Sequence, residues 1–194
     1  MKIILASKSG VRKEILDKNN IDCDVVLSNV DEDEVKASLI SEGADPMLIS
    51  KNLAEIKSIK VSNQKPNILV LGADSVISLN NKLINKPKSR DEALKILKKL
   101  NNSKHYLITS VCISKNGAML WNHSDTSELI MKKFTDIQLK KYLSKIKTQT
   151  LLAYGVYQVE ADGLELFEYI KGDLSSIMGL PIKDIINYIK QYKK

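Results

Sequence analysis

Residues 67–79 read NILVLGADSVISL, the most apolar stretch of the chain, interrupted at Gly72-Ala73-Asp74. Two readings of that interruption compete. Either two central strand halves meet around it and bring a carboxylate into the interior, or Gly72-Ala73-Asp74-Ser75 is a surface hairpin turn, for which aspartate is good chemistry. A buried, unpaired carboxylate would be costly, so the first reading demands a partner for Asp74.

Working outward, short apolar runs alternate with amphipathic stretches, the pattern of an α/β fold. MKIILAS and CDVVLS read as strands, and VRKEILDKNN between them as a helix burying Val11, Ile15 and Leu16. Asp45-Pro46 opens a helix that places Ile49, Leu53 and Ile56 on one face. Ser89 with Glu92, and Thr135 with Gln138, have capping-box spacing at the head of two more helices. HYLITSVCISK and SELIMKKF read as strands with a turn near Asn116-Gly117, GLELFEYI as another strand, and PIKDIINYIKQY as a closing helix. Without repeats or a linker, residues 1–194 are expected to form a single domain with a central sheet flanked by helices.

The balance of 30 Lys+Arg against 23 Asp+Glu gives a net charge of +7. The excess is spread along the chain, which favours anionic small molecules over a stable nucleic-acid partner. Two cysteines make neither a disulfide framework nor a metal cluster. The apolar stretch near the N-terminus is about four residues long, against the roughly 7–15 of a signal-peptide core. No stretch approaches the ~18 apolar residues of a membrane span, so a cytoplasmic protein without a membrane partner is expected.

The stretch most suggestive of chemistry is IILASKSGVRKEIL, residues 3–16. A strand, a short loop of small and hydroxyl residues and a helix N-terminus present free backbone N–H groups to an anion. Ser7, Ser9 and Arg12 add hydroxyls and a planar cation, although the glycine spacing of a P-loop is absent. Lys57 borders the apolar face of its helix, where a stem that covers the core while the head reaches water is the commoner outcome. Lys86, held before a proline, could aim at a phosphate. Within Asp31-Glu32-Asp33-Glu34, Glu32 could join Asp74 in offering oxygen ligands to a divalent metal, although such runs are more often solvated loops. His105 and His123 have no partner spacing and are read as structural or surface residues.

In order and approximate spacing, LASKSGVRKEIL, VDE (30–32), LAEIKS, GADSV, NKP, HYLITSV, YQVE (157–160) and IKGDLSSIMGLP resemble the motifs of the Maf family of nucleoside triphosphate pyrophosphatases. The resemblance runs from residue 3 to about residue 190. It implies one domain with an active-site cleft in a mixed sheet, like that of inosine triphosphatases, and often a homodimer. The implied reaction cleaves a nucleoside triphosphate between its α and β phosphates with Mg²⁺ or Mn²⁺. Carried over by position, Asp74 would be the general base. Arg12, Lys57 and Lys86 would hold phosphates, Ser7 and Ser9 would line the cradle, and Glu32 would assist the metal or the water.

The departures from the motifs bear on the base. Val11 stands where the family commonly has a first arginine, after Gly10 in place of a proline. Ser75 stands where one branch, selective for dTTP and UTP, has threonine and another, selective for 7-methyl-GTP, has glutamine. Glu160 replaces a glutamine of the first branch, and a carboxylate there could accept hydrogen bonds from a guanine edge. Val11 and Glu160 point to 7-methyl-GTP, while Ser75 matches neither branch. The alternatives are a dTTP/UTP pyrophosphatase and a non-catalytic regulator of cell division that binds nucleotides or nucleic acid.

Overall fold

The computed structural model describes residues 2–159 and 162–192. The interruption in the central stretch is neither a junction of two strands nor a turn. Val70–Leu79 forms one continuous strand, β3, following β1 (Ile3–Leu5) and β2 (Cys23–Val25). Its register explains why: every residue from Val70 to Ser78 pairs antiparallel with β5 (Lys104–Lys115), Asp74 opposite Ser110. An unbroken ladder keeps the chain extended through Gly72.

The sheet is mixed, as expected. β1 runs parallel to both β2 and β3, whereas β4 (Lys82–Ile84), β5, β6 (Ala118–Met131) and β7 (Phe167–Lys171) pair antiparallel with their neighbours. The order is β2-β1-β3-β5-β6-β7, with β4 also on β3. Asn80-Asn81 and Asn116-Gly117 make the β3–β4 and β5–β6 hairpins, all four residues at positive φ, the conformation that matches strand twist.

The helices follow the caps. Ser9 caps α1 (Gly10–Lys18), Asp45 caps α3 (Pro46–Gln64) with proline at its start, and Ser89 caps α4 (Arg90–Leu100). Asp31 caps α2 (Glu32–Ser41), a helix built from the acidic run that had read as a loop. Three carboxylates in its first turn complement the positive end of the helix dipole. Thr135 and Gln138 complete a reciprocal capping box on α5 (Asp136–Ser144), while Glu92 turns instead to the Lys88 N–H. α6 (Thr148–Tyr154) was also missed, and α7 (Leu174–Ile177) and α8 (Ile182–Tyr192) close the fold.

One cluster packs α1 and α8 on β1, β3 and β5 through Leu5, Leu16, Leu71, Ile113 and Ile185. Another gathers α4, α5 and α6 against β5–β7 through Leu97, Leu129, Leu139 and Leu151. Arg90 ties the α5–α6 junction by donating to the carbonyls of Leu143 and Ile146 and to Thr148 Oγ1.

α3 covers the opposite face of β3, unusually closely. A Cβ on Gly72 would lie 2.2 Å from the Ala54 carbonyl and 2.8 Å from the Ser58 nitrogen. The backbone of β3 therefore rests directly on one turn of α3, and only glycine allows it. Gly72→Ala is expected to destabilise the protein by about 3 kcal/mol, as overpacking that backbone cannot relax. Urea unfolding measures it, and a change below about 0.5 kcal/mol would show that the contact yields.

Candidate active site

On one edge of β3, β1 stops pairing at Leu71, where the Ala6 N–H still donates to the Leu71 carbonyl at 2.8 Å. β4 begins pairing on β3 only at Ile77. Between them, from Gly72 to Val76, the edge lacks a strand neighbour. Side chains alternate along a strand, so Asp74 falls on the α3 face and Ser75 on the α1 face. Both line one cavity of about 470 Å³ that opens at this gap.

On the α3 face, Lys57 and Asp74 are 6% and 5% exposed, so the lysine head does not reach water. Lys57 Nζ donates to Asp74 Oδ1 at 2.8 Å and lies 2.8 Å from Glu32 Oε1. The close seat of α3 on Gly72 puts Lys57 there: the contact spans Ala54 to Ser58, and Asp74 is two residues along the same face. Asp74 Oδ2 is buried and has no hydrogen-bond partner among the described residues. Burial works to raise the Glu32 pKa, but Lys57, Lys36 and Lys86 outweigh it and hold the carboxyl at about 2. Glu32 is thus ionised throughout the neutral range.

On the other face, Arg12 is held by four of its five N–H groups. Nε donates to the Gly179 carbonyl at 3.0 Å, and Nη1 to Ser7 Oγ at 3.2 Å and the Ala73 carbonyl at 2.9 Å. Nη2 donates to Ser75 Oγ at 3.1 Å, leaving one hydrogen uncommitted. Ala73 O follows Leu71 O along the open edge, so the guanidinium takes the place the next strand amide would have occupied. Desolvation lowers the Arg12 pKa, while Asp74 and Glu32 oppose the shift. Ser7 Oγ also accepts from the Ser9 N–H, and Ser9 Oγ caps the Arg12 N–H. Val11 lines the cavity from the first turn of α1.

Lys86 enters from the β4–α4 loop, its Nζ donating to the Ala153 carbonyl at 2.9 Å. Desolvation of that head, then the charge of Arg12, lowers its pKa. Lys8 and Lys36 also line the cavity, so five cationic side chains face the two carboxylates Glu32 and Asp74. Lys36 went unnoticed in the sequence because its placement depends on α2, where it lies one turn beyond Glu32 and 3.5 Å from its carboxylate. Glu160 lies outside the described residues; Tyr157, Gln158 and Val159, which precede it in sequence, line the cavity.

The donor set fits a hard divalent cation. Among the described residues no three acidic, histidine or cysteine groups gather to enclose a metal. Two carboxylates, one with an unpartnered oxygen, suit an ion that takes its remaining ligands from phosphates and water. His105 is fully buried, with Nε2 3.1 Å from Tyr157 Oη, and desolvation lowers its pKa to about 4. It supports the cavity wall from behind.

A cationic cleft at a gap in a mixed sheet, with an ion-paired carboxylate at its floor, is suited to an anionic ligand. A family model described as Maf-like protein matches residues 2–192, and the chain belongs to that family. It is 55% identical over 191 residues to a protein of Pelagibacter ubique named nucleoside triphosphate pyrophosphatase, covering 98% of each chain. A Ruegeria protein of the same name is 35% identical over 96% of this chain and 94% of its own. A Brucella abortus protein named 7-methyl-GTP pyrophosphatase is 32% identical over 100% of this chain and 97% of its own. A looser structural likeness, with a TM-score of 0.44 and 18% identity, joins 68% of this chain to 73% of a HAM1 protein from Coxiella burnetii.

Removing one member of a buried ion pair leaves the other uncompensated. Lys57→Met is therefore expected to cost about 3–5 kcal/mol of stability in denaturant titration. A loss below about 1 kcal/mol would mean that water already screens the pair.

Proposed function

We propose that this chain is a nucleoside triphosphate pyrophosphatase that acts on 7-methyl-GTP. The observation that carries the hydrolytic reading is Asp74, a residue lining the cation-rich cavity: Lys57 holds its Oδ1, and its Oδ2 is buried with no hydrogen-bond partner among the described residues. A carboxylate with one oxygen fixed and the other lacking a partner is suited to take a proton from a water brought in with substrate.

In this reading the triphosphate lies across the open edge of β3. Arg12, through its remaining Nη2 hydrogen, and Lys86 neutralise phosphate oxygens, with Lys8 and Lys36 adding to the positive field. Water attacks the α-phosphorus while its proton passes to Asp74 Oδ2. The bond from the α-phosphorus to the α–β bridging oxygen breaks, and its electron pair leaves with pyrophosphate. Glu32 and Asp74 would hold Mg²⁺ or Mn²⁺, which when bound supplies further neutralisation of phosphate charge. Lys57 keeps the two carboxylates together without their mutual repulsion.

The base preference rests on Val11, which leaves an apolar side chain where the family's first arginine would stand, on Glu160 as an acceptor for a guanine edge, and on the Brucella relative. A cytoplasmic location is proposed on the absence, among the described residues, of any helix long and apolar enough to cross a membrane.

Pyrophosphate release from a panel of triphosphates with Mg²⁺ tests the reading. Asp74→Asn is expected to lower kcat by about 10²–10⁴, and equal turnover by both proteins would remove Asp74 as the base. Glu160→Gln should slow 7-methyl-GTP more than dTTP, and an unchanged ranking overturns the base assignment. Because its pKa is lowered, Lys86 loses its charge at a lower pH than an ordinary lysine. KM should therefore rise on the alkaline side before the usual lysine range, and Lys86→Arg should move that rise to higher pH.

A further inference from the structure

Ser75 occupies a position that branches of the family fill with different side chains, yet its hydroxyl here is already committed. Thr109 Oγ1 donates its single hydrogen to the Ser176 carbonyl at 2.8 Å, since a carbonyl can only accept. Thr109 Oγ1 and Ser75 Oγ are 3.0 Å apart, so the hydrogen between them comes from Ser75. Ser75 Oγ is left to accept, and it accepts from Arg12 Nη2 at 3.1 Å. The direction of the whole chain is fixed, from Arg12 through Ser75 and Thr109 to Ser176.

The chain closes on itself. The Gly179 N–H donates to the same Ser176 carbonyl at 3.0 Å, and the Gly179 carbonyl accepts from Arg12 Nε at 3.0 Å. The two ends of the guanidinium are thus joined through one turn after α7. That turn needs glycine: Gly179 has φ of +106°, and a Cβ there would lie 3.1 Å from Arg12 Nε. Thr109 is fully buried, which keeps water from replacing it in the ring.

We propose that Ser75 and Thr109 are positioning residues that set the plane of Arg12 and aim its one uncommitted hydrogen at the substrate phosphates, and that Ser75 does not read the base. The phosphate part rests on the triphosphate reading above. The ring holds the guanidinium in place before substrate arrives, so none of its ordering is left to the binding step. Losing either hydroxyl frees the plane to rotate and weakens binding of every triphosphate equally.

The chain has only two arginines, Arg12 and Arg90, so an arginine-selective ¹⁵N spectrum contains two Nε–H signals. Thr109→Val, which removes the hydroxyl at nearly constant volume, is expected to shift or broaden the Arg12 signal and leave that of Arg90 in place. It should lower kcat/KM about tenfold, by the same factor for 7-methyl-GTP and dTTP, and by less than twofold in an Arg12→Lys background. Ser75→Ala should behave alike and Ser75→Thr should retain activity. Ser75→Ala also serves if Thr109→Val does not fold. An unmoved Arg12 signal, or an equal penalty with and without Arg12, overturns the proposal. A loss confined to one base makes Ser75 a base reader instead. If the wild-type protein cleaves no triphosphate, the functional reading fails, and the Nε–H signal still decides whether the ring positions Arg12.

Discussion

At Gly72 two backbones meet with no side chain between them. β3 lies on the Ala54–Ser58 turn of α3, closer than any Cβ would permit. The position of α3 sets that of Lys57, and Lys57 makes a carboxylate tolerable at the floor of the cleft. Burying an unpaired charge costs several kcal/mol, so Asp74 depends on the contact made two residues before it at Gly72. The same ammonium reaches Glu32 and so anchors the head of α2, a helix that buries no residue fully.

The second constraint is topological. In a sheet with complete edges, Asp74 and Ser75 would face opposite layers and could not serve one ligand. Because β1 leaves β3 at Leu71 and β4 joins it at Ile77, the strand is bare between them, and both faces open into one cavity. The carboxylate chemistry belongs to the α3 face and the guanidinium to the α1 face. A ligand lying across the edge would meet both at once.

Much of this was legible in the sequence because it is local. Helix starts at Asp45, Ser89 and Thr135, the turn at Asn116-Gly117 and the apolar periodicity of α8 all depend on neighbours within a few residues. The order of motifs marked Asp74, Lys57, Glu32, Lys86 and Arg12, and the cavity gathers all five. What failed was non-local. Gly72 left a strand junction and a turn equally open because a glycine required by a crossing helix is indistinguishable from one required by φ. Lys57 looked like a snorkelling lysine because its partner lies 17 residues away on another element. Thr109 and Gly179 fell inside quoted motifs but were assigned no role, since their roles exist only once β5 and the turn after α7 converge on Arg12. The acidic run lost its helix to composition: four consecutive carboxylates read as solvated until the dipole of α2 is counted.

The two arginines have one thing in common beyond their scarcity among 30 basic residues. Each spans several acceptors with a planar fork: Arg12 at the open edge of β3, and Arg90 at the α5–α6 junction. An ammonium is a point charge on a flexible stem and cannot hold acceptors at such fixed angles. Elsewhere the chain tolerates lysine as its general-purpose cation. At these two sites the exchange that looks most conservative on paper is the one the architecture accommodates least, so basic charge in this protein divides into point charges carried by lysines and two planar joints built on arginine.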